Sequence, residues 1–75
     1  MKELINTPCH HRLLESNEGR LLLEVECGTT AVFLLTIELN EEERRNFEEK
    51  GAGYIQDLAY RVQDNPDGYI GRRIS

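Results

Sequence analysis

The sequence lacks tryptophan and contains only one methionine, two prolines and two cysteines among its 75 residues. Its longest apolar run, AVFLL at 31–35, is far shorter than the roughly 18 residues that cross a bilayer. The first nine residues, MKELINTPC, contain no apolar stretch of the kind that marks a secretory signal. These absences predict a cytoplasmic protein that does not contact a membrane, in which the two thiols, Cys9 and Cys27, are free.

Clustered positive charge is also missing. The chain carries 9 Lys and Arg against 14 Asp and Glu, which gives a net charge of −5 and a pI near 4.9. Surfaces that bind a phosphate backbone present clustered lysine and arginine side chains. The composition therefore argues against direct nucleic-acid binding, and an acidic surface of this kind suits a basic protein partner.

The chain length fits one small domain, residues 1–75. An apolar fraction of 39% and a charged fraction of 31% are typical of a folded chain rather than a disordered one. A chain of this size buries only about 60–65% of its unfolded surface, so the core alone gives marginal stability. A partner subunit, a metal ion or a disulfide often supplies the remainder in natural domains this small.

Strands come first along the chain and a helix follows them. Alternation of apolar and polar residues predicts an antiparallel meander of three strands, at about 12–16, 20–27 and 31–39. Asn40 and the glutamates after it predict a capped helix start, and the apolar stripe keeps its phase to about residue 64. The predicted fold class is therefore α+β, with one long helix (about 41–64) on one face of the sheet and room for a short C-terminal strand.

The loops determine which side chains share a face. The segment Asn17-Glu18-Gly19 suits a three-residue hairpin loop, which pairs Leu13 with Leu23. A three-residue loop at 28–30 would pair Val25 with Phe33 and keep the glutamates off the apolar face, since a slip of one residue reverses every side chain. The predicted core face comprises Leu13, Leu21, Leu23, Val25, Phe33, Leu35, Ile37 and Leu39.

The segment TPCHH at 7–11 concentrates the residue types that bind metals. In an extended chain Cys9 and His11 lie on one side, and Cys27 falls close to them across the sheet. These three residues are the best candidate set for a zinc site, or for a thiol nucleophile with a histidine base. A fourth ligand and a deep pocket are missing from the pattern, so we predict no cofactor, no catalytic residues and no enzymatic activity. TPCHH is then an extended lead-in to the first strand.

The sheet face away from the helix carries a second apolar strip between carboxylates. Exposed apolar patches with a charged rim often mark interfaces. The alternatives are that the C-terminal tail covers this strip or that the predicted register is wrong. The predicted partner-binding residues are Leu14, Leu22, Glu24, Glu26, Val32 and Leu34.

The strip and the negative charge together predict a small acidic protein-binding module. An inhibitor or neutraliser of a toxin-like or nucleic-acid-acting protein fits, because carboxylates that enter a basic cleft speed the encounter by electrostatic steering. The alternative is a homodimer, a structural or ligand-sheltering module built by sheet-to-sheet packing. A second alternative is a thiol or metal site at Cys9, His11 and Cys27.

Overall fold

The computed structural model describes residues 2–8, 10–28 and 31–74, and within these ranges it contains four strands and two helices. The strands form one antiparallel sheet in the order β1-β2-β3-β4. The predicted α+β class is confirmed, but the prediction of three strands and one long helix lacks one strand and the division of the helix. The elements are β1 (Lys2–Thr7), β2 (His11–Glu15), β3 (Leu21–Cys27), β4 (Phe33–Glu38), α1 (Glu41–Lys50) and α2 (Ala52–Asp64).

The first strand, β1, is the element that the alternation pattern missed. Five of its six side chains are exposed, and only Ile5, which pairs with Leu13, is partly buried. A bulge between Glu3 and Ile5 also breaks the regular alternation. An exposed edge strand with one inward apolar residue gives little periodic signal.

The register between β2 and β3 is the predicted one, with Leu13 opposite Leu23. Between β3 and β4 the predicted register is wrong by two residues, because Val25 pairs with Leu35 instead of Phe33. The connection from Cys27 to Phe33 is five residues long instead of three. A shift of two leaves every side chain on its predicted face, so the hydrophobic pattern cannot detect it.

The core lies between the sheet and α2. Phe33, which the pattern placed in the core, pairs with Cys27 at the rim and is 41% exposed. Helix α2 contributes four apolar side chains at helical spacing. The buried hydrophobic residues are Leu13, Leu21, Leu23, Val25, Cys27, Leu35, Ile37, Leu39, Ile55, Leu58, Ala59 and Val62.

The predicted long helix is divided at Gly51. This residue ends α1 and precedes α2 with φ 74° and ψ −151°, a conformation that only glycine adopts readily. The predicted capping box is present at the start of α1, where the Asn40 side chain accepts from the Glu43 backbone N–H at 2.8 Å. The apolar stripe keeps its phase across the break, so periodicity alone could not place it.

The C-terminal tail runs along the outer edge of β4. It forms two short 3-10 turns, at Pro66–Gly68 and Ile70–Arg72. A single bridge pairs Arg73 with Ile37, and the Ile74 N–H donates to the Thr36 carbonyl at 3.0 Å. The expected short C-terminal strand is reduced to this bridge. Neither helix in the described part of the chain has the length and apolar composition of a membrane-spanning segment.

Candidate functional site

The open face is the sheet face directed away from the two helices, and an ion pair crosses its centre. Arg12 and Glu24 lie opposite each other on β2 and β3, where the guanidinium donates two hydrogen bonds of 3.0 Å to the carboxylate. Arg12 also contacts Glu3 at 3.4 Å. The hydrogen bond and charge of Glu24 raise the pKa of Arg12 above its ordinary value. Glu24 is thus already engaged within the sheet.

The six predicted partner-binding residues fall on both sides of this ion pair. Leu14 pairs with Leu22 on one side, and both side chains are partly buried. Glu26 pairs with Leu34 on the other side, with Val32 just before β4. The Arg12–Glu24 pair separates the two groups, so the strip is not one continuous apolar surface.

The exposed apolar side chains concentrate beside the N-terminal half of β4. Val32 is 61% exposed and Leu34 is 53% exposed. Ile74 of the tail is 52% exposed and follows the bridge beside Thr36. We call Val32, Leu34 and Ile74 the β4 patch. The tail covers the edge of β4 near Thr36 but leaves Leu34 exposed.

A shallow depression of about 130 Å³ adjoins the β4 patch. It is lined by Leu34, by the Glu24 and Glu26 carboxylates, and by the polar side chains of the β1–β2 turn and its flanks, among them His10, His11 and Arg12, whose guanidinium is bound to Glu24. Within the described part of the chain, the Glu26 carboxylate contacts no cationic side chain. The depression therefore combines an apolar wall with a carboxylate that is available to a cation.

The described residues of the TPCHH segment form a turn between β1 and β2 instead of the predicted extended lead-in. Thr7 pairs with His11, so Pro8 and His10 lie in the connection between β1 and β2. The Nδ1 atoms of His10 and His11 face each other in a hydrogen bond. The His10 ring also packs edge-on against Tyr60 of α2, with ring centroids 4.6 Å apart.

His11 is the buried member of this histidine pair, with 4% of its surface exposed. Burial first, and the charge of His10 second, lower the pKa of His11 below its ordinary value. The sequence does not predict the contact between His10 and Tyr60. A helical pattern gives no signal that joins an exposed tyrosine to a turn 50 residues earlier. The pair secures the β1–β2 turn against α2.

The predicted metal or thiol set is described only in part, because Cys9 lies outside the described residues. His11 and Cys27 flank Val25 on the core side of the sheet. The Cys27 thiol donates to the Val25 carbonyl at 3.7 Å, and burial raises its pKa above the ordinary value. Among residues 2–8, 10–28 and 31–74, no three His, Cys, Asp or Glu side chains converge in the manner of metal ligands.

The comparison of the chain with protein-family models, with curated proteins and with solved structures finds no match. A proposal about function therefore rests on the open face and the β4 patch.

Proposed function

We propose that the protein is a small acidic protein-binding module whose contact surface is the β4 patch together with Glu26. One observation carries this proposal: Val32 and Leu34, 61% and 53% exposed, lie beside a carboxylate that no described cation neutralises. Burying each aliphatic side chain in an interface would contribute roughly 1–2 kcal/mol. An apolar patch rimmed by charge is a common form of protein-binding surface.

The charge of the open face favours a basic partner. On this face the carboxylates of Glu3, Glu24, Glu26 and Glu38 outnumber the guanidinium groups of Arg12, on β2, and Arg20, directly before β3. Such a surface complements a basic cleft and accelerates association at low salt. An inhibitor or neutraliser of a basic protein in the cytoplasm agrees with this charge balance.

The shape of the surface favours binding over catalysis. The depression of about 130 Å³ is smaller than the pockets of roughly 300 Å³ or more that hold small substrates. A wider open groove of about 420 Å³ lies beside Glu26, Gly28, Gln63 and Pro66, and among the residues described there it has one carboxylate and no histidine or thiol. His10 and His11 do line the smaller depression, but they bond to each other and His11 is buried, and the depression beside them is too small for a substrate.

Affinity capture from a cytoplasmic extract of the source cells tests the proposal. The bait is the wild-type protein, the Val32→Glu variant or the Ile70→Glu control, which places the same charge on a tail residue that is 48% exposed. We expect a basic protein to be recovered with the wild type and the control, and lost with Val32→Glu. Equal recovery on all three baits would contradict the proposed surface.

Sedimentation velocity of the same three proteins tests the homodimer alternative. A homodimer built on the β4 patch would dissociate on dilution and would be disrupted by Val32→Glu. We expect a monomer at all concentrations, because a second copy would bring its own Glu26 carboxylate against the first, whereas a basic partner would complement that charge.

A further inference from the structure

The geometry of β4 leads us to infer how the partner binds. It adds an extended, basic strand to the part of the β4 edge that the described tail, as far as Ile74, leaves uncovered. This inference rests on the proposed protein-binding function and names the binding mode and the chemistry of the partner segment. Main-chain hydrogen bonds would supply the affinity in this mode, and alternate side chains the specificity.

The strand pairing shows which backbone groups of β4 are available. In an antiparallel strand, the N–H and C=O of alternate residues point toward opposite neighbours. The Thr36 carbonyl accepts from the tail at Ile74, and the Glu38 carbonyl accepts from Arg72, so both point away from β3. By the same alternation, the backbone N–H and C=O of Leu34 also point outward.

The outward groups of Leu34 are the uncovered part of this edge. Within residues 2–8, 10–28 and 31–74, no backbone or side-chain group outside the sheet bonds to them. The Leu34 side chain is exposed on the open face, and that of Phe33, 41% exposed, lies on the opposite face. An added strand would therefore find main-chain partners between apolar contacts on both of its faces.

The other edge of the sheet, β1, is protected against the addition of a strand. Strand β1 carries a bulge between Glu3 and Ile5, with Lys2 at its start. Bulges and edge lysines are the devices by which natural sheets resist edge pairing. Of the two edges, the N-terminal part of β4 is the one that is apolar and lacks such a device.

A second copy of the chain fits this edge poorly. Symmetric antiparallel pairing centred on Leu34 would place Thr36 of each copy opposite Val32 of the other. The outward carbonyl of Thr36 already accepts the Ile74 N–H, so the two tails would obstruct the pairing. Each copy would also bring its own Glu26 to the contact. The occupant is therefore an extended segment of a different protein.

Glu26 indicates that this segment is basic. It lies opposite Leu34 on β3, two strand spacings or about 10 Å from an added strand. A lysine or arginine side chain facing the depression can bridge that distance together with the glutamate side chain. The charge-assisted contact would give the segment both its position and its preference for cations.

The first experiment measures amide hydrogen exchange on the isotopically labelled full chain. In the free protein, we expect the Leu34 amide to exchange faster than that of Leu35, which bonds within the sheet. The probe is an acetylated eight-residue peptide of alternating lysine and valine, and its control has glutamate in place of lysine. The lysine peptide should slow Leu34 exchange at least about tenfold and bind at least about tenfold more tightly than the control.

Two variants distinguish the contribution of the Leu34 backbone N–H to peptide binding from that of the Leu34 side chain. Leu34→Ala and Leu34→Pro both remove the leucine side chain, but only the proline removes the outward N–H, a change that edge strands tolerate. We expect Leu34→Pro to bind the lysine peptide several-fold more weakly than Leu34→Ala. Circular dichroism checks the fold, and if Leu34→Pro unfolds, the exchange of the wild-type Leu34 amide decides.

Each opposing outcome contradicts one part of the reasoning. Peptide binding without protection of the Leu34 amide would overturn strand addition and leave side-chain docking, so the protein-binding proposal would stand. Equal affinity for the lysine and glutamate peptides would overturn the basic partner. Slow Leu34 exchange in the free monomer would show that the edge is already covered. Only a cellular partner that is insensitive to Val32→Glu would contradict the proposed function itself.

Discussion

The two ends of the sheet are stabilised by different kinds of interaction. At the closed end, where α1 and the tail meet β4, a partly buried network of hydrogen bonds fixes the chain. Arg72 donates to both carboxylate oxygens of Glu43, at 2.6 and 3.0 Å, and to the Glu38 carbonyl at 2.8 Å. Glu43 also accepts the Asn40 N–H at 2.9 Å. One side chain thus joins the helix start, the strand end and the tail.

The open end, at the β1–β2 turn and the start of β4, has a different character. The histidine pair and Tyr60 hold the turn through ring contacts, while Val32 and Leu34 are left exposed. A small domain is only marginally stable, and apolar side chains left in water contribute nothing to the free energy of folding. A partner that buries them would add that hydrophobic contribution on binding. The contrast indicates that the closed end stabilises the fold and that the open end is available for contact.

Removal of Arg72 should produce the largest effect. Arg72→Met leaves the Glu43 carboxylate buried without its cation and releases the tail from β4, so we expect a loss of about 2–3 kcal/mol in the free energy of unfolding. Urea denaturation measures this loss. The matched control is Arg45→Met, because the Arg45–Glu41 pair is exposed and 3.7 Å apart and should contribute only a few tenths of a kcal/mol. Equal effects of the two variants would contradict the special role of the closed end.

Acid should weaken the two ends in separate pH windows. The folded state resists protonation of His11, whose pKa is lowered by burial and by His10, so stability is lost as the pH falls below 6.5, the ordinary value. At Glu43 burial opposes the charge, but the hydrogen bonds from Arg72 and Asn40 and the charge of Arg72 outweigh it and lower the pKa. Its contribution is present above the ordinary value of 4.5 and is lost below it.

The measurement is urea denaturation at a series of pH values from neutral to acid. His11→Gln should abolish the loss that begins below pH 6.5, the ordinary value for histidine, and leave the lower window in place. Glu43→Gln should do the reverse. If His11→Gln leaves the upper window unchanged, another group is responsible for it and the histidine pair does not weaken the open end in acid.

The sequence predicted the faces of this sheet better than its extent. Alternation placed Leu13, Leu23 and Val25 correctly on the core side, and the Asn17-Glu18-Gly19 loop determined the β2–β3 register. The same alternation could not detect a two-residue shift in β4, because a shift of two conserves the faces. Strand β1 has almost no apolar pattern to detect. The break at Gly51 depends on a backbone conformation that periodicity does not report.

The candidate site was predictable in composition but not in shape. Alternation places Glu26 and Leu34 on the open face in either register, whereas their direct pairing depends on the observed one. The predicted β2–β3 register already places Arg12 opposite Glu24, but the ion pair that divides the strip depends on side-chain conformations that the pattern does not report. The uncovered edge at Leu34 depends on where the tail crosses β4, a long-range contact without a local signal.

A moderate effect is expected from a side-chain hydrogen bond that joins α2 to the open end. The Gln63 amide donates to the Glu26 carbonyl at 2.8 Å, so Gln63→Ala should lower the free energy of unfolding by about 1 kcal/mol. Gln56→Ala, at an exposed position of the same helix, is the matched control and should have almost no effect. A loss as large as that for Arg72→Met would show that the open end is held as tightly as the closed end.

The smallest effect on stability should come from Val32→Glu, the variant with the largest expected effect on binding. Val32 is 61% exposed, so a carboxylate there remains hydrated and should change the free energy of unfolding by less than about 0.5 kcal/mol. The control, Leu35→Glu, carries the same charge into a fully buried position three residues along and should unfold the protein. Thermal melts of the two variants give the comparison. A stable Val32→Glu variant would show that the fold does not need this apolar residue, which agrees with the proposed contact surface. A large loss would return Val32 to the core.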